Sequence, residues 1–460
     1  MQEPKDQENR VDEFIARPRR AVWRLALPVM ASMAMQTLYN VVDMVFVGWL
    51  GGEALAAVTF NMPLVFFSIG LNFGLGVGVT SCIARALGRR DRETADNTAS
   101  HALLIGAVLG LLSAAAGLLF SRPIFALLGA PPEVLGPALR YFEVIALGFA
   151  FTVLNVQLRA ILSGEGDTRT PMVCQIGGTL LNLALDPLLI FTAGLGIAGA
   201  AWATVASQGA VFAAYLYFFF VRRSTYLRPG PARFRLSRPI LASIFAIGVP
   251  ASAQMVVMSV AGMFFNRIIA PFGAQAVAAY GVGGRLDQIY FMPTFALASG
   301  MVTLTGMFAG AGRIDLVRGT LYYTVACGLA LAFGFGGLFY ATAPRAYAVF
   351  TDDPRIIALA VDYIRVLVFA FPFITVGMIS SRVFQGFGEG LPSLLLTAVR
   401  VVLVSVPLAW FCVEVMGYGL EYVWYAMGGS PAVSCLCAVL WVNRRLRRAE
   451  AEARAAAPPS

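Results

Sequence analysis

Twelve stretches of this chain are almost continuously apolar. They lie near 22–48, 56–84, 99–120, 138–163, 171–192 and 196–221, and after a break near 240–268, 277–309, 319–342, 359–384, 391–413 and 416–442. Each is close to or above the ~20 residues a helix needs to cross the hydrocarbon core of a bilayer. None shows the alternation of a barrel strand of about ten residues. The pattern predicts an all-α integral membrane protein with twelve transmembrane helices. Composition agrees, since 58% of the 460 residues are hydrophobic and 13% are charged, against roughly 25% charged in a soluble domain. The expected organisation is a polar tail (1–21), six spans (22–221), a linker (222–239), six spans (240–442) and a second tail (443–460). The first 21 residues are polar and charged, which suits a tail leading into a span rather than a cleavable leader.

Charge then sets the orientation. Of the 34 basic residues, 33 are arginine. With the N-terminus in the cytosol, 25 fall in the tails and inner connections and five in the outer ones, leaving Arg24, Arg285, Arg365 and Arg400 within spans. The positive-inside rule places both ends in the cytosol and predicts a multi-pass protein of a bacterial or archaeal cytoplasmic (inner) membrane. Topology accounts for the net charge of +9, so no nucleic acid partner is expected. The six cysteines sit in or beside apolar runs and read as packing residues. The single histidine, His101, opens an apolar run and reads as a bystander. "SGEGDTRTP" (163–171) lacks the Lys-Ser/Thr of a phosphate loop. No metal and no cofactor are implied.

The two halves resemble each other at an offset of 222 residues. "GGEALAAV" (51–58) lines up with "GAQAVAAY" (273–280), Pro28 with Pro250, Tyr141 with Tyr363, and Gly164 and Gly166 with Gly386 and Gly388. "ALGRRD" (86–91) meets "GAGRID" (310–315) only with two residues of slip. Ordered matches at one spacing indicate an internal repeat. Six spans per half make it a parallel repeat, an arrangement used by secondary transporters, with the cavity expected between two pseudo-symmetric six-helix bundles.

Polar positions inside the spans carry the chemistry. On the first helix Gln36, Tyr39, Asn40 and Asp43 share a face, and on the fifth Gln175, Thr179, Asn182 and Asp186 do the same. Asp43 and Asp186 lie at one depth, near the outer ends. Two carboxylates close together in a poorly solvated pocket cannot both stay ionised cheaply. That makes a candidate proton site, or a cation site; a static polar knot that packs helices is the alternative. The second half does not repeat it, since Asp43, Asn182 and Asp186 meet Phe265, Val404 and Leu408. The seventh helix instead offers Met255, Met258, Met263, Phe264 and Phe265. Arg285 and Asp287 on the eighth helix do not face each other. Each is expected to pair elsewhere, for instance Asp287 with Arg400, in a structural ion pair or a cargo contact. On that reading Arg285→Ala lowers surface expression more than transport per molecule.

The stretches "LALPVMASMAMQTLYNVVDMVFVGWLGGEALAAV", "RAILSGEGDTRTPM", "NLALDPLLIF" and "AAYGVGGRLDQIYFMP" resemble the multidrug and toxic compound extrusion (MATE) family over residues 20–445. The resemblance implies twelve helices in two bundles forming a V, and secondary active efflux of cationic or amphipathic small molecules in exchange for H⁺ or Na⁺. Asp43 matches the family's first-helix acid, and Asn182 and Asp186 its fifth-helix pair. Tyr141 and Thr204 resemble two further positions of the same pocket, and Na⁺ is possible at Asp43, Asn182 and Asp186. The seventh and tenth helices lack the acids of the sodium-coupled branch, which favours the DinF-like branch. A monomer working on drugs or metabolites within the bilayer is expected. A lipid-precursor flippase of the same superfamily is the alternative function. An intramembrane enzyme is disfavoured by the absence of HExxH or paired Asp-rich motifs.

Overall fold

The structure is a computed structural model that describes residues 10–127, 131–230 and 234–455. The far ends of both expected tails and residues 231–233 of the linker lie outside the described residues. The first half comprises α1 (Arg10–Ala16), α2 (Pro18–Gly48), α3 (Gly52–Gly88), α4 (Arg92–Leu127), α5 (Pro132–Gly164), α6 (Arg169–Pro187) and α7 (Ile197–Leu216). The second comprises α8 (Arg238–Ile269), α9 (Ala274–Gly310), α10 (Ile314–Tyr347), α11 (Pro354–Leu367), α12 (Phe371–Phe387), α13 (Leu391–Ala398), α14 (Val406–Trp410) and α15 (Glu421–Ala455). Turns of π-helix continue α6 to Thr192 and α7 to Val221, and carry the α13–α14 segment to Val415. No strand occurs among the described residues.

Among the described residues, ten helical segments are long and apolar enough to cross a bilayer, and α11 with α12 makes an eleventh, bent by 57°. The 37 residues of α3 cover the remaining apolar run. The bend departs from the continuous helix expected over 359–384. Pro372 has no N–H for the carbonyl of Val368, and its ring crowds that carbonyl, so the helix breaks between Leu367 and Phe371. The repeat partner of Pro372 is Ala150, and there α5 runs unbroken.

The repeat extends to the backbone. Left-handed residues recur at the same spacing: Gly51 and Gly273, Arg90 and Gly312, Gly166 and Gly388. The Arg90–Gly312 pair removes the two-residue slip that matching letters required. Gly164 and Gly386 are close-approach sites with equivalent neighbours. A Cβ on Gly164 would meet Ile83 at 2.8 Å and the Thr80 carbonyl at 3.1 Å; one on Gly386 would meet Thr305 at 2.5 Å and the Val302 carbonyl at 2.9 Å. Helix α3 therefore packs on the end of α5 as α9 packs on the end of α12.

By packing, the described residues up to 12 and between 27 and 248 form one compact unit, and those between 13 and 26 and from 249 onward the other. The division falls inside α2 and α8, beside Pro28 and Pro250. In the first unit the opening turns of α8 lie on α3, where a Cβ on Gly78 would stand 2.4 Å from the Ile244 carbonyl. In the second unit Trp23 Nε1 donates to Tyr323 Oη at 3.1 Å.

The described part of the linker is held down at several points. Glu165 accepts from the backbone N–H of Tyr226 and of Leu227, both at 3.1 Å. Asp96 accepts from Arg228 N–H at 2.8 Å, and Asn97 exchanges two bonds with Arg235. His101 is no bystander. Its Nε2 accepts from Ser237 N–H at 3.0 Å, which leaves the ring proton on Nδ1 to donate to the Asn97 carbonyl at 2.8 Å. Burial pushes the Glu165 carboxyl from 4.5 up to about 7, against the pull of the Leu227 N–H, Arg10 and the Tyr226 N–H. The docked linker thus favours protonated Glu165. Docking is strongest below the ordinary carboxyl value and weakens as pH rises through about 7. Hydrogen exchange should show protection of Tyr226 and Leu227 amides falling roughly 10- to 100-fold between pH 5 and 8, by the tenfold-per-unit rule. Glu165→Gln should flatten that profile.

Candidate functional site

The polar stripes of α2 and α6 meet within the first unit. Gln175 Nε2 donates to Gln36 Oε1 at 3.0 Å, and Gln36 Nε2 donates to Asn40 Oδ1 at 3.2 Å. One turn further along α2, Tyr39 Oη bonds Thr204 Oγ1 of α7 at 3.3 Å. The Thr204 hydroxyl spends its proton on the Ala200 carbonyl, so Tyr39 is the donor. Asp43 and Asp186 lie within electrostatic reach of each other and of Tyr39 and of Tyr141 on α5. Asp43 and Tyr141 are half-buried and Asn40 is exposed.

Asp186 is fully buried, and neither carboxylate oxygen has a hydrogen-bond partner. Asn182, one turn earlier and 3% exposed, also has both amide atoms unbonded. Buried polar groups are nearly always paired, and an unpaired buried carboxylate is costly as an anion. These atoms need a proton or a cation more than a packing neighbour. Asn182 lines a cavity of about 30 Å³ together with Gln36, Tyr39, Gln175, Thr204 and Ser207. That is room for at least one water molecule or a small ion. Immediately after Asp186, Pro187 ends α6 and the helix widens into the π turn at Leu188–Thr192. Proline cannot donate to the carbonyl of Leu183, and wide turns of this kind recur at functional sites.

The stripes missed two helices of this pocket. Ser207 and Gln208 of α7 line it, and Asn155 of α5 donates to Gln208 Oε1 at 2.9 Å. Thr204, Ser207 and Gln208 follow the same helical spacing as the other stripes, so their signal was in the sequence.

The second unit holds a different polar centre. Asp287 of α9 accepts a short hydrogen bond from Tyr363 Oη of α11, and its other oxygen is buried without a partner. Arg400 does not reach it; its Nη2 points at Met258 Sδ, 3.3 Å away. The expected Arg400–Asp287 pair is therefore replaced by a tyrosine contact. Tyr363 packs edge-on to Trp424 and Tyr280. A Cβ on Gly283 would stand 2.6 Å from its ring, so only glycine lets α9 come this close. Arg285 is exposed and forms no hydrogen bond or ion pair among the described residues. Its expected partner does not exist, and that removes the reason for an expression defect in Arg285→Ala. Arg285→Ala is expected to express at the level of the unsubstituted protein. Tyr363→Phe, which leaves both Asp287 oxygens unpaired, should lower thermal stability by about 1–3 kcal/mol, read from melting in detergent. Of the seventh-helix apolar set, Met255, Met258, Met263 and Phe264 are exposed, while Phe265 is 6% exposed and belongs to the core.

A doubled bundle of spanning helices, with acidic and polar groups buried inside the spans, defines a membrane transporter. The MatE family pattern matches residues 28–188 and 250–411, so its two copies begin at Pro28 and Pro250, one repeat apart. The chain is 27% identical to the multidrug export protein MepA of Staphylococcus aureus (strain NCTC 8325) over 81% of its length and 82% of that protein's. It is 26% identical to the probable multidrug resistance protein YoeA of Bacillus subtilis, covering 90% of this chain and 92% of that one. A solved structure of a MOP superfamily transporter from Pyrococcus furiosus superposes with a TM-score of 0.92, at 32% identity over 97% of this chain and 100% of the other. The chain belongs to the MATE family of multidrug efflux transporters.

Proposed function

We propose that the protein exports cationic or amphipathic small molecules in exchange for protons, and that Asp43 and Asp186 of the first unit are the coupling acids. The observation that carries this reading is the buried, hydrogen-bond-free carboxylate of Asp186 within electrostatic reach of Asp43. One proton, or one cationic cargo molecule, relieves the same burial cost, so the two compete for the same acids and exchange follows. The pocket opens alternately to the two faces of the cytoplasmic membrane, with both termini in the cytosol, as the arginine distribution supports. The protein works as a monomer, catalyses no covalent step and needs no cofactor. The seventh and tenth helices carry no acids of the sodium-coupled kind, which supports the DinF-like branch. Sodium is a second reading, because the Asp43, Asn182 and Asp186 side chains offer hard oxygen donors of the type small cations take. A lipid-precursor flippase fits less well, since cavity acids repel anionic phosphate. Dye efflux from proteoliposomes, driven separately by a pH gradient and by a Na⁺ gradient, is the test. Movement of unmodified dye under the pH gradient alone supports proton exchange. Movement under Na⁺ alone transfers the role to sodium, and movement under neither overturns coupled export.

A further inference from the structure

The second unit has a cavity of its own at the arginine-rich end of α15. Helix α15 is 35 residues long, about 52 Å at 1.5 Å per residue, well over the ~30 Å of hydrocarbon. Its end therefore leaves the bilayer, and a cavity of about 550 Å³ opens where it does so. The lower wall is Cys437, Leu440 and Trp441, and the upper wall is Arg444, Arg445 and Arg448.

The three arginines have different states. Arg445 is committed to the protein. Its Nε donates to Glu389 Oε1 at 2.6 Å, its guanidinium lies 4.6 Å from the centre of the Phe387 ring, and Glu452 stands 3.6 Å from Nη1. That Nη1 is nevertheless buried without a hydrogen bond. Arg444 and Arg448 are one helical turn apart, exposed, and make no hydrogen bond or ion pair among the described residues. Trp441 is held edge-on to Phe384 at 5.4 Å, one turn below Arg445. Indole rings favour the headgroup level of a membrane, and paired guanidiniums suit a phosphate.

We propose that this cavity is a binding site for one anionic phospholipid, with its phosphodiester on Arg444 and Arg448 and its glycerol and upper acyl chain along Trp441 and Leu440. The positive-inside rule explains why arginines are here, but it does not explain a concave wall in which two stay unpaired above an indole. Glu389 and Glu452 on the same wall accept from the hydroxyls of a glycerol headgroup, which selects phosphatidylglycerol over a bare phosphate. The site needs only the membrane placement of α15 and holds whatever ion or cargo the first unit uses.

The test is native mass spectrometry of the full chain in detergent, titrated with phosphatidylglycerol, phosphatidylcholine or inorganic phosphate. One phosphatidylglycerol should bind per chain, at least about tenfold more tightly than phosphatidylcholine. The double variant Arg444→Gln/Arg448→Gln should lose that preference. The double variant Arg447→Gln/Arg454→Gln removes the same charge from exposed positions outside the cavity wall and should keep it. In nanodiscs, phosphatidylglycerol with brominated chains should quench the unsubstituted protein more than Trp441→Phe. Equal loss in both double variants would reduce the effect to bulk charge. Displacement of the lipid by millimolar inorganic phosphate would make the site a free-phosphate site. Either result overturns the proposal.

Discussion

Asp43→Asn is expected to insert, fold and express normally, yet its ion-driven efflux should fall to the level of empty vesicles. Asparagine matches aspartate in size and in hydrogen-bonding reach, but it cannot take up or release a proton. Asp43 is half-buried, and no hydrogen bond or ion pair within the described residues depends on its charge. Packing therefore should not suffer. What is lost is the negative charge that Asp186 and Tyr141 sense. Substrate should still bind through the apolar walls, more weakly if the cargo is cationic. The result to look for is retained binding with abolished accumulation against a gradient. Export at the unsubstituted rate, at equal expression, would remove Asp43 from the coupling step. If Asp43 and Asp186 were only a polar knot, Asp43→Asn would alter thermal stability and leave transport per molecule alone, so the two readings separate in one preparation.

The helices were legible because a bilayer imposes one demand, a long apolar run, and the chain meets it without interruption. The break at Pro372 was hidden by the same demand, since "VFAFPFIT" stays apolar across it and the letters carry no angle. The stripes of α2 and α6 were legible because helical spacing alone places Gln36 and Asp43, or Gln175 and Asp186, on one face. The Asp287 centre was not. Comparing halves at a fixed offset asks whether each residue recurs at its own position. Here Tyr363 does keep the place of Tyr141, while the acid it faces has moved to α9. The linker clamp was beyond reach for another reason. Glu165, Asp96 and His101 bond to backbone N–H groups of residues 226, 228 and 237, and every residue type except proline offers that donor. No side-chain pattern announces such a partner.

Cargo affinity is expected to fall as pH falls, with protons released on binding, and Asp186→Asn should change that dependence. The argument starts from the unpaired oxygens of Asp186. When the pair is ionised the pocket attracts a cation; when it is protonated the attraction is gone and apolar packing can close around it. Two neighbouring acids titrate as a pair, so removing one alters the proton affinity of the pocket as a whole. The conformational half of the exchange needs an element with two arrangements. Pro28 lies in α2 about four turns before Asp43, lacks a backbone N–H, and has its carbonyl engaged by Ser32 Oγ at 2.9 Å. Both features soften the helix ladder there, and the division between the two packed units falls within two residues of it. A ligand shifts such an equilibrium only through a difference in affinity for the two states. A proton on the Asp43–Asp186 pair supplies one, and a cationic cargo supplies its opposite. Cargo binding measured in detergent between about pH 5 and 8, a span above the ordinary carboxylate range and within reach of a desolvated acid pair, should weaken towards the acid end. Calorimetry in two buffers of different ionisation enthalpy should count the protons released. A flat profile, identical in Asp186→Asn, would leave the carboxylate pair without a role in proton exchange, and the Na⁺ gradient would then have to drive export.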